Sequence, residues 1–344
     1  MKLFYNLLIP ITLVLSITTS SAKEVNYQLN ISEKIIQPAG KKVKAIAVND
    51  SIPAPTLRFK VGDTAKITVS NHLKNQQTSI HWHGLLLPNK EDGVPYLTTP
   101  PIEAGKSRVF KFPLTHPGTY WYHSHTGLQE QQGVYGSIIV EPAKKIRDAD
   151  REYVVVLSDW SNENPKSIMK NLMRGNEYYA MKKGNAQSIY GAYKAGALKN
   201  YINREKSRMS PMDMSDVYYD QFWANGKPTL HLDAKPGERV KLRFINAGAS
   251  TYFYLTSATG KLKIVAADGP RVKPVDISTL LIGMAETYDV IVTTINPAFL
   301  GLLGGSSSGF EININGTSYG TFEYDGLAGL ATIDTIENAE FPIF

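Results

Sequence analysis

Two closely spaced histidine pairs are the residues of this chain whose types and spacing could carry chemistry. The first pair is His81 and His83 and the second is His123 and His125, so these motifs hold four of the seven histidines in 344 residues. On a β-strand, residues two apart point to the same face of the sheet. Two such strands side by side would gather four imidazoles, the side chains that most often bind copper, zinc, iron or nickel.

The residues around both pairs favour buried strands. Trp82 separates the first pair, and Tyr120-Trp121-Tyr122 leads directly into the second. A pair of exposed strand histidines is the alternative, but large aromatic residues are mostly buried, which argues against it. We predict that Trp82, Trp121 and Tyr122 pack in the core, on the faces of the strands opposite to the histidines.

The elements that must position the histidines are predicted to be short strands. Residues 25–143 contain alternating segments such as 64–69 and 108–112, separated by turns rich in Pro, Gly, Asn and Asp. Many short strands at this spacing indicate a β-sandwich or barrel. Residues 142–150 are charged and indicate a linker, after which a second β-rich unit begins.

We therefore expect an all-β protein with a first domain over residues 23–143 and a second over residues 144–297. The second domain is interrupted at about residues 164–216 by a segment rich in Lys, Met, Ala and Tyr, which predicts one or two surface helices. Residues 298–344 begin with a Gly/Ser-rich stretch typical of a flexible link. They continue as a β-like tail that we assign to neither domain.

The N-terminus and the charge bear on location and partners. Lys2 followed by an apolar run of about a dozen residues predicts a signal peptide over residues 1–22, with an uncleaved anchor as the alternative. The run is too short for a membrane span, so no transmembrane segment is expected after cleavage. The formal net charge of +6 comes from scattered basic residues, which argues against a nucleic-acid partner.

Several motifs resemble the multicopper oxidase superfamily, and most closely the bacterial copper resistance protein A family. The motifs of the first domain are His81-Trp82-His83-Gly84, Asp92-Gly93-Val94-Pro95 and Gly118-Thr119-Tyr120-Trp121-Tyr122-His123-Ser124-His125. Those of the second include Leu157-Ser158-Asp159-Trp160, Arg243-Phe244-Ile245-Asn246 and Ala285-Glu286-Thr287-Tyr288-Asp289-Val290. The resemblance covers roughly residues 25–293. It implies two cupredoxin-like Greek-key β-sandwich domains, copper as the cofactor and a periplasmic location, while the lack of a twin-arginine pair predicts Sec export.

The resemblance also implies a role for each residue of the two histidine motifs. His81 would bind a type 2 copper, whereas His83, His123 and His125 would bind a type 3 copper pair. Together they are half of the ligand set of a three-copper cluster. Asp92 would be the catalytic acidic residue beside the cluster, orienting hydrogen bonds and relaying protons. A plain turn former before a glycine is the alternative for this aspartate.

The other half of the ligand set is not found in this sequence. The resembled enzymes have a last domain with His-x-x-His-x-His and His-Cys-His motifs, whereas here only His231 follows His125 and there is no cysteine. A blue-copper site requires a Cys thiolate, so we expect the isolated chain to bind copper without turnover. Oxidase activity would need a separate chain that supplies a third cupredoxin domain. The alternatives are copper sequestration without catalysis and a truncated, inactive remnant.

Weaker signals come from the remaining histidines and a group of methionines. His72 and His116 lie in polar turns and are expected to face solvent, while His231 is expected to be structural. Thioethers select Cu(I), so three methionines within residues 209–214 could hold a transient cuprous ion. Filling gaps in the core is the alternative for them. These methionines are Met209, Met212 and Met214.

Overall fold

The computed structural model describes residues 23–174, 178–183, 188–207, 217–235, 237–257, 261–293, 310–313 and 322–328. The predicted signal peptide over residues 1–22 lies outside the described residues, as do Met209, Met212, Met214 and the side chain of His231.

Eight strands form the first domain. They are β1 (Glu24–Ile36), β2 (Val43–Val48), β3 (Ala54–Lys60), β4 (Thr64–Asn71), β5 (His81–His83), β6 (Ser107–Pro113), β7 (Gly118–His123) and β8 (Tyr135–Glu141). They make two four-stranded sheets, with strand orders β2-β1-β4-β6 and β3-β8-β7-β5. The two sheets share one hydrophobic core, so this domain is the β-sandwich that the sequence predicts.

Alternating burial explains why these segments form strands of a sandwich. In β6, Phe110 and Phe112 are buried, while Val109 is 51% exposed. A period of two places one face of a strand against the core and the other outside it. The largest fully buried side chains, Trp82 and Tyr122, reach the same core from β5 and β7.

The strands of the second domain also form two sheets. They are β9 (Arg151–Trp160), β10 (Gln221–Ala224), β11 (Thr229–Leu232), β12 (Arg239–Asn246), β13 (Thr251–Ser257), β14 (Leu262–Ala267), β15 (Arg271–Ile277), β16 (Thr279–Ile282), β17 (Thr287–Thr293), β18 (Phe310–Asn313) and β19 (Phe322–Ala328). One sheet has the order β10-β9-β12-β17-β14-β15 and the other has the order β11-β18-β19-β13-β16. Because β18 and β19 pair with β11 and β13, the second sheet includes residues beyond 297, the position at which the sequence predicts the end of this domain.

The insert in the second domain contains four short helices in its described part. They are α1 (Pro165–Met173), α2 (Tyr178–Lys182), α3 (Ile189–Lys194) and α4 (Leu198–Ser207). The prediction of one or two helices was therefore wrong in number. Side-chain caps mark the starts of α1 and α3: the side chain of Asn164 accepts from the Lys166 amide, and that of Ser188 accepts from the Gly191 amide. Within the described residues, no helix combines the length and apolar character needed to span a bilayer.

Candidate metal centre

The centre is built on β5 and β7, which are neighbours at one edge of their sheet. The two strands are antiparallel, with His81 opposite His123 and His83 opposite Trp121. Trp82 is fully buried in the core of the first domain, and its ring lies 5.3 Å from that of Phe110. Since side chains alternate along a strand, the histidines of β5 lie on the other face.

The four imidazoles of the two motifs lie in one small volume. The ring centroid of His81 lies 5.6 Å from those of His83 and His123, and 4.9 Å from that of His125. The rings of His123 and His125 are 4.8 Å apart. One ligand atom each from His81, His83 and His123 lies within 4.8 Å of the other two. The structure thus brings the four predicted ligands together, and their binding of copper stays a prediction.

Hydrogen bonds on Nδ1 orient two of the rings. The Nδ1 of His81 donates to the backbone carbonyl of Asp92 at 2.8 Å, and that of His123 donates to Oε2 of Glu130 at 2.8 Å. A carbonyl or carboxylate oxygen only accepts, so the proton lies on Nδ1 and each Nε2 can carry a lone pair. The Nε2 of His123 lies 3.3 Å from Nδ1 of His83, the position that a metal ion would take between the two rings. Oriented rings with a free ring nitrogen are the usual arrangement of histidine ligands.

Burial keeps three of the four imidazoles in the form that binds metals. Desolvation lowers the pKa of His83 to about 4, with a smaller contribution from the neighbouring rings of His123 and His81. Desolvation is also the largest cause that lowers the pKa of His81 and of His125. These three imidazoles are therefore neutral at pH 7, and a metal ion does not have to displace protons from them.

Asp92 lies beside His81, as the sequence predicts. Its Oδ1 is 3.4 Å from Nδ1 of His81, and Thr98 donates its hydroxyl to Oδ2 at 3.4 Å. The turn can approach β5 because Gly93 has no side chain: a Cβ there would lie only 1.7 Å from the carbonyl oxygen of Ile80. The catalytic role of Asp92 stays a prediction.

Sequence reasoning missed Glu130, the acceptor for His123. Glu130 starts a one-turn 3-10 helix, and the preceding Gln129 connects that turn to residues just before β5 and just after β7. The buried amide oxygen of Gln129 accepts from the hydroxyls of Thr78 and Ser124, at 2.7 and 3.0 Å. The only sequence signal was an acidic residue seven positions after His123.

The prediction that Trp121 packs on the face opposite to the histidines is wrong. It lies two residues before His123 on β7 and therefore shares its face. Its ring stacks on that of His123 at 4.1 Å with an interplanar angle of 12°, and on that of His83 at 4.9 Å. Trp82 and Tyr122 do lie in the core of the first domain, as predicted. Trp121 forms a wall of the metal centre.

Two family models, both described as multicopper oxidase, match residues 30–145 and 151–326. The chain belongs to the multicopper oxidase family. It is 42% identical to copper resistance protein A of Escherichia coli over 79% of this chain and 47% of that protein. It is 39% identical to copper resistance protein A of Pseudomonas syringae pv. tomato, over 77% of this chain and 45% of that protein.

The fold of a solved multicopper oxidase agrees with this assignment. The structure is similar to a laccase from Botrytis aclada, with a TM-score of 0.62 and 27% identity over 81% of this chain and 48% of that one. The predicted resemblance, the all-β class with cupredoxin-like domains and the copper cofactor are therefore confirmed. The chain spans about half the length of the curated relatives named above.

The residues of the centre fit copper, the metal of the multicopper oxidases. Nδ1 of His83 lies 3.3 Å from Nε2 of His123. Two nitrogens that share one ion at bond lengths of about 2.0 Å in tetrahedral geometry are separated by about this distance. Neutral imidazole is among the ligands that suit copper. The ring nitrogens of His81, His83 and His123 are therefore close enough to fit a copper ion, and the ring of His125 lies beside them.

Proposed function

We propose that this chain is a periplasmic copper-binding protein of the copper resistance group and carries half of a three-copper cluster. His81 serves the type 2 copper, and the other three histidines of the cluster serve the type 3 pair. The observation that carries this proposal is the convergence of four imidazoles, those of His81, His83 and His123 from β5 and β7 and that of His125 from two residues after β7. Five of the six ring pairs have centroids 4.8 to 5.6 Å apart. Lys2 and the apolar run that follows it, which predict a signal peptide over residues 1–22, support the location.

The chain's own residues bind and orient, while copper supplies the redox chemistry when it is bound. Glu130 and the carbonyl of Asp92 hold two rings in the tautomer that leaves Nε2 free. The Asp92 carboxylate, 3.4 Å from the His81 ring, is placed to accept or release a proton at the edge of the cluster. Trp121 stacks on two of the rings and limits their rotation.

A separate chain with a third cupredoxin domain supplies the remaining ligands under this proposal. A blue-copper site needs a thiolate, and these 344 residues contain no cysteine. The segments that flank the ligands expose large apolar side chains: Leu86 is 70% exposed, Tyr96 is 78% exposed and Leu97 is 80% exposed. Apolar side chains this exposed near the histidine motif are available for contact with a partner that closes the centre. The isolated chain then binds copper without turnover.

Copper titration of the chain without residues 1–22 tests the binding role. We expect saturable binding that is lost when all four histidines of the cluster are replaced by Ala. The matched control is the double variant His72→Ala and His116→Ala, which removes two exposed histidines from the same domain. Unchanged stoichiometry in the fourfold variant, or equal losses in the fourfold and control variants, would contradict the proposal.

Reconstitution tests the enzymatic part. The copper-loaded chain is mixed with a candidate third domain that carries the His-Cys-His motif, and blue absorbance and phenol oxidation are followed. Turnover that needs both chains and is lost in the fourfold histidine variant supports a shared cluster. Copper binding with no turnover in any mixture would leave sequestration as the function.

A further inference from the structure

One face of β7 carries His123 at its end and is covered by the second domain along the rest of its length. On the basis of the function proposed above, we propose that the second domain positions the copper-binding histidines through Thr119 and Trp121. Thr119, Trp121 and His123 alternate with Tyr120 and Tyr122, so the three share a face of the strand. The two tyrosines point to the other face.

Thr119 is tied to the second domain by a buried polar network. Its hydroxyl donates to Oδ1 of Asp289 at 2.5 Å and accepts from Nη1 of Arg243 at 3.0 Å. The same Arg243 nitrogen donates to Oδ2 of Asp289 at 2.7 Å, and the Thr287 hydroxyl donates to the Thr119 carbonyl at 3.0 Å. All four residues are at most 5% exposed. Buried, charge-assisted hydrogen bonds resist displacement, because breaking one leaves a desolvated polar group unpaired.

Trp121 continues the same contact one step closer to the ligands. It is 3% exposed and belongs to a small hydrophobic cluster that joins the two domains. Its partners from β9, β12 and the residue after β12 are Val156, Ile245 and Ala247. Trp121 also stacks on the ring of His123 at 4.1 Å, so it is in contact with both the second domain and a ligand.

Close backbone contact holds the start of β7 against the second domain. A Cβ on Gly118 would lie 2.4 Å from the carbonyl oxygen of Gly269, and a Cβ on Gly269 would lie 2.4 Å from the ring of Tyr120. The strand and the loop around Gly269 therefore fit together without room for side chains. Movement of the second domain would displace β7, and with it the ring of His123.

The test compares the two faces of the same strand. Thr119→Val keeps the shape of the side chain and removes the hydroxyl that the second domain holds, whereas Thr119→Ser keeps the hydroxyl. The matched control is Tyr122→Phe, which removes a buried hydroxyl that donates to the Pro55 carbonyl at 2.7 Å on the domain-one side. Cu(II) alone is the probe, measured by competition with a chelator and by the electron paramagnetic resonance spectrum of the bound ion. Thermal unfolding of each metal-free variant is recorded alongside.

We expect Thr119→Val to change the hyperfine splitting and to weaken Cu(II) binding by at most about tenfold. Tenfold is the smallest loss usual for a group that hydrogen-bonds a ligand directly, and Thr119 acts through β7 and Trp121. Thr119→Ser should bind as the wild type does. Tyr122→Phe should unfold at a lower temperature yet keep the wild-type affinity and spectrum. If Thr119→Val fails to fold, Thr287→Val replaces it, with a smaller loss of affinity expected.

Two results would overturn the inference. One is a wild-type affinity and spectrum in Thr119→Val; the other is a loss of affinity that follows the loss of stability equally in Thr119→Val and Tyr122→Phe. The proposed function itself fails in a different way, when the wild-type chain does not bind Cu(II) or binds it without the four histidines.

Discussion

Replacing Glu130 is the most direct test of how the metal centre is oriented. Its Oε2 accepts from Nδ1 of His123 at 2.8 Å, and its side chain is 22% exposed. In Glu130→Ala the imidazole of His123 loses its hydrogen-bond acceptor, so it can take the other tautomer or rotate about its side-chain bonds. The Nε2 lone pair of His123 is then no longer held available for a metal ion.

The expected size of the effect follows from the kind of hydrogen bond. A bond to a charged group contributes about 1.5–3 kcal/mol, and we take the lower end because Glu130 is partly exposed. A loss of about 1.5 kcal/mol corresponds to about a tenfold weaker copper affinity. Glu130→Gln keeps an oxygen that can accept from Nδ1, so its copper affinity should fall less than that of Glu130→Ala.

Competition titration with a copper chelator at pH 7 measures these affinities. Glu33→Ala is the matched control, since Glu33 is an exposed carboxylate on β1 in the other sheet, paired with Lys44 at 3.0 Å. Both alanine variants remove one negative charge from the first domain, but only one removes a contact to a ligand. Equal affinities in Glu130→Ala and Glu33→Ala would refute the orienting role of Glu130.

Three further predictions concern the turn, the proton and the metal. Gly93→Ala should lower the free energy of unfolding in urea by more than Gly62→Ala does. Both glycines have a positive φ, which costs about 1–3 kcal/mol for other residues, but only a side chain at position 93 would also clash, so equal losses in the two variants would contradict this. In the metal-free protein the pKa of His83 is lowered from 6.5 to about 4, so the unfolded chain takes up the proton first and the free energy of unfolding should fall as the pH is lowered from 6.5 towards 4. The fall should be smaller in His83→Gln, and equal decreases of the urea midpoint between pH 7 and pH 5 in the wild type and the variant would contradict this. Copper at a hundred times its dissociation constant should add about 2.7 kcal/mol to the free energy of unfolding, and a chelator should reverse the effect. An unfolding temperature that copper does not raise would rule out binding to the folded state.

The face that carries the histidines of β5 could be predicted from the sequence because a strand has a period of two. His81 and His83 must share a face, and a buried Trp82 between them fixes which face is the core side. The antiparallel pairing of β5 with β7 then needs only that both motifs lie on neighbouring strands. Local pattern and register therefore account for the rings of His81, His83 and His123, whereas His125 lies two residues beyond the end of β7 and meets them from the following loop.

The surroundings of the rings could not be predicted in the same way. The large aromatic side chain of Trp121 predicts a place in the core, but its spacing of two from His123 places it on the histidine face. That face is buried by the second domain, which no pattern within the first domain reveals. Glu130 lies on a single 3-10 turn, where neither helical nor strand periodicity indicates what its side chain contacts.

Preorganisation of these ligands has a consequence for any partner that completes the cluster. Burial already keeps His81, His83 and His125 neutral, and hydrogen bonds already orient His81 and His123, so much of the ordering is complete before the metal or a second chain arrives. If copper bridges the two chains, linkage requires that copper strengthen their association by the same factor by which the partner strengthens copper binding. A partner that binds equally well with and without copper would therefore share a surface with this chain but not a metal cluster.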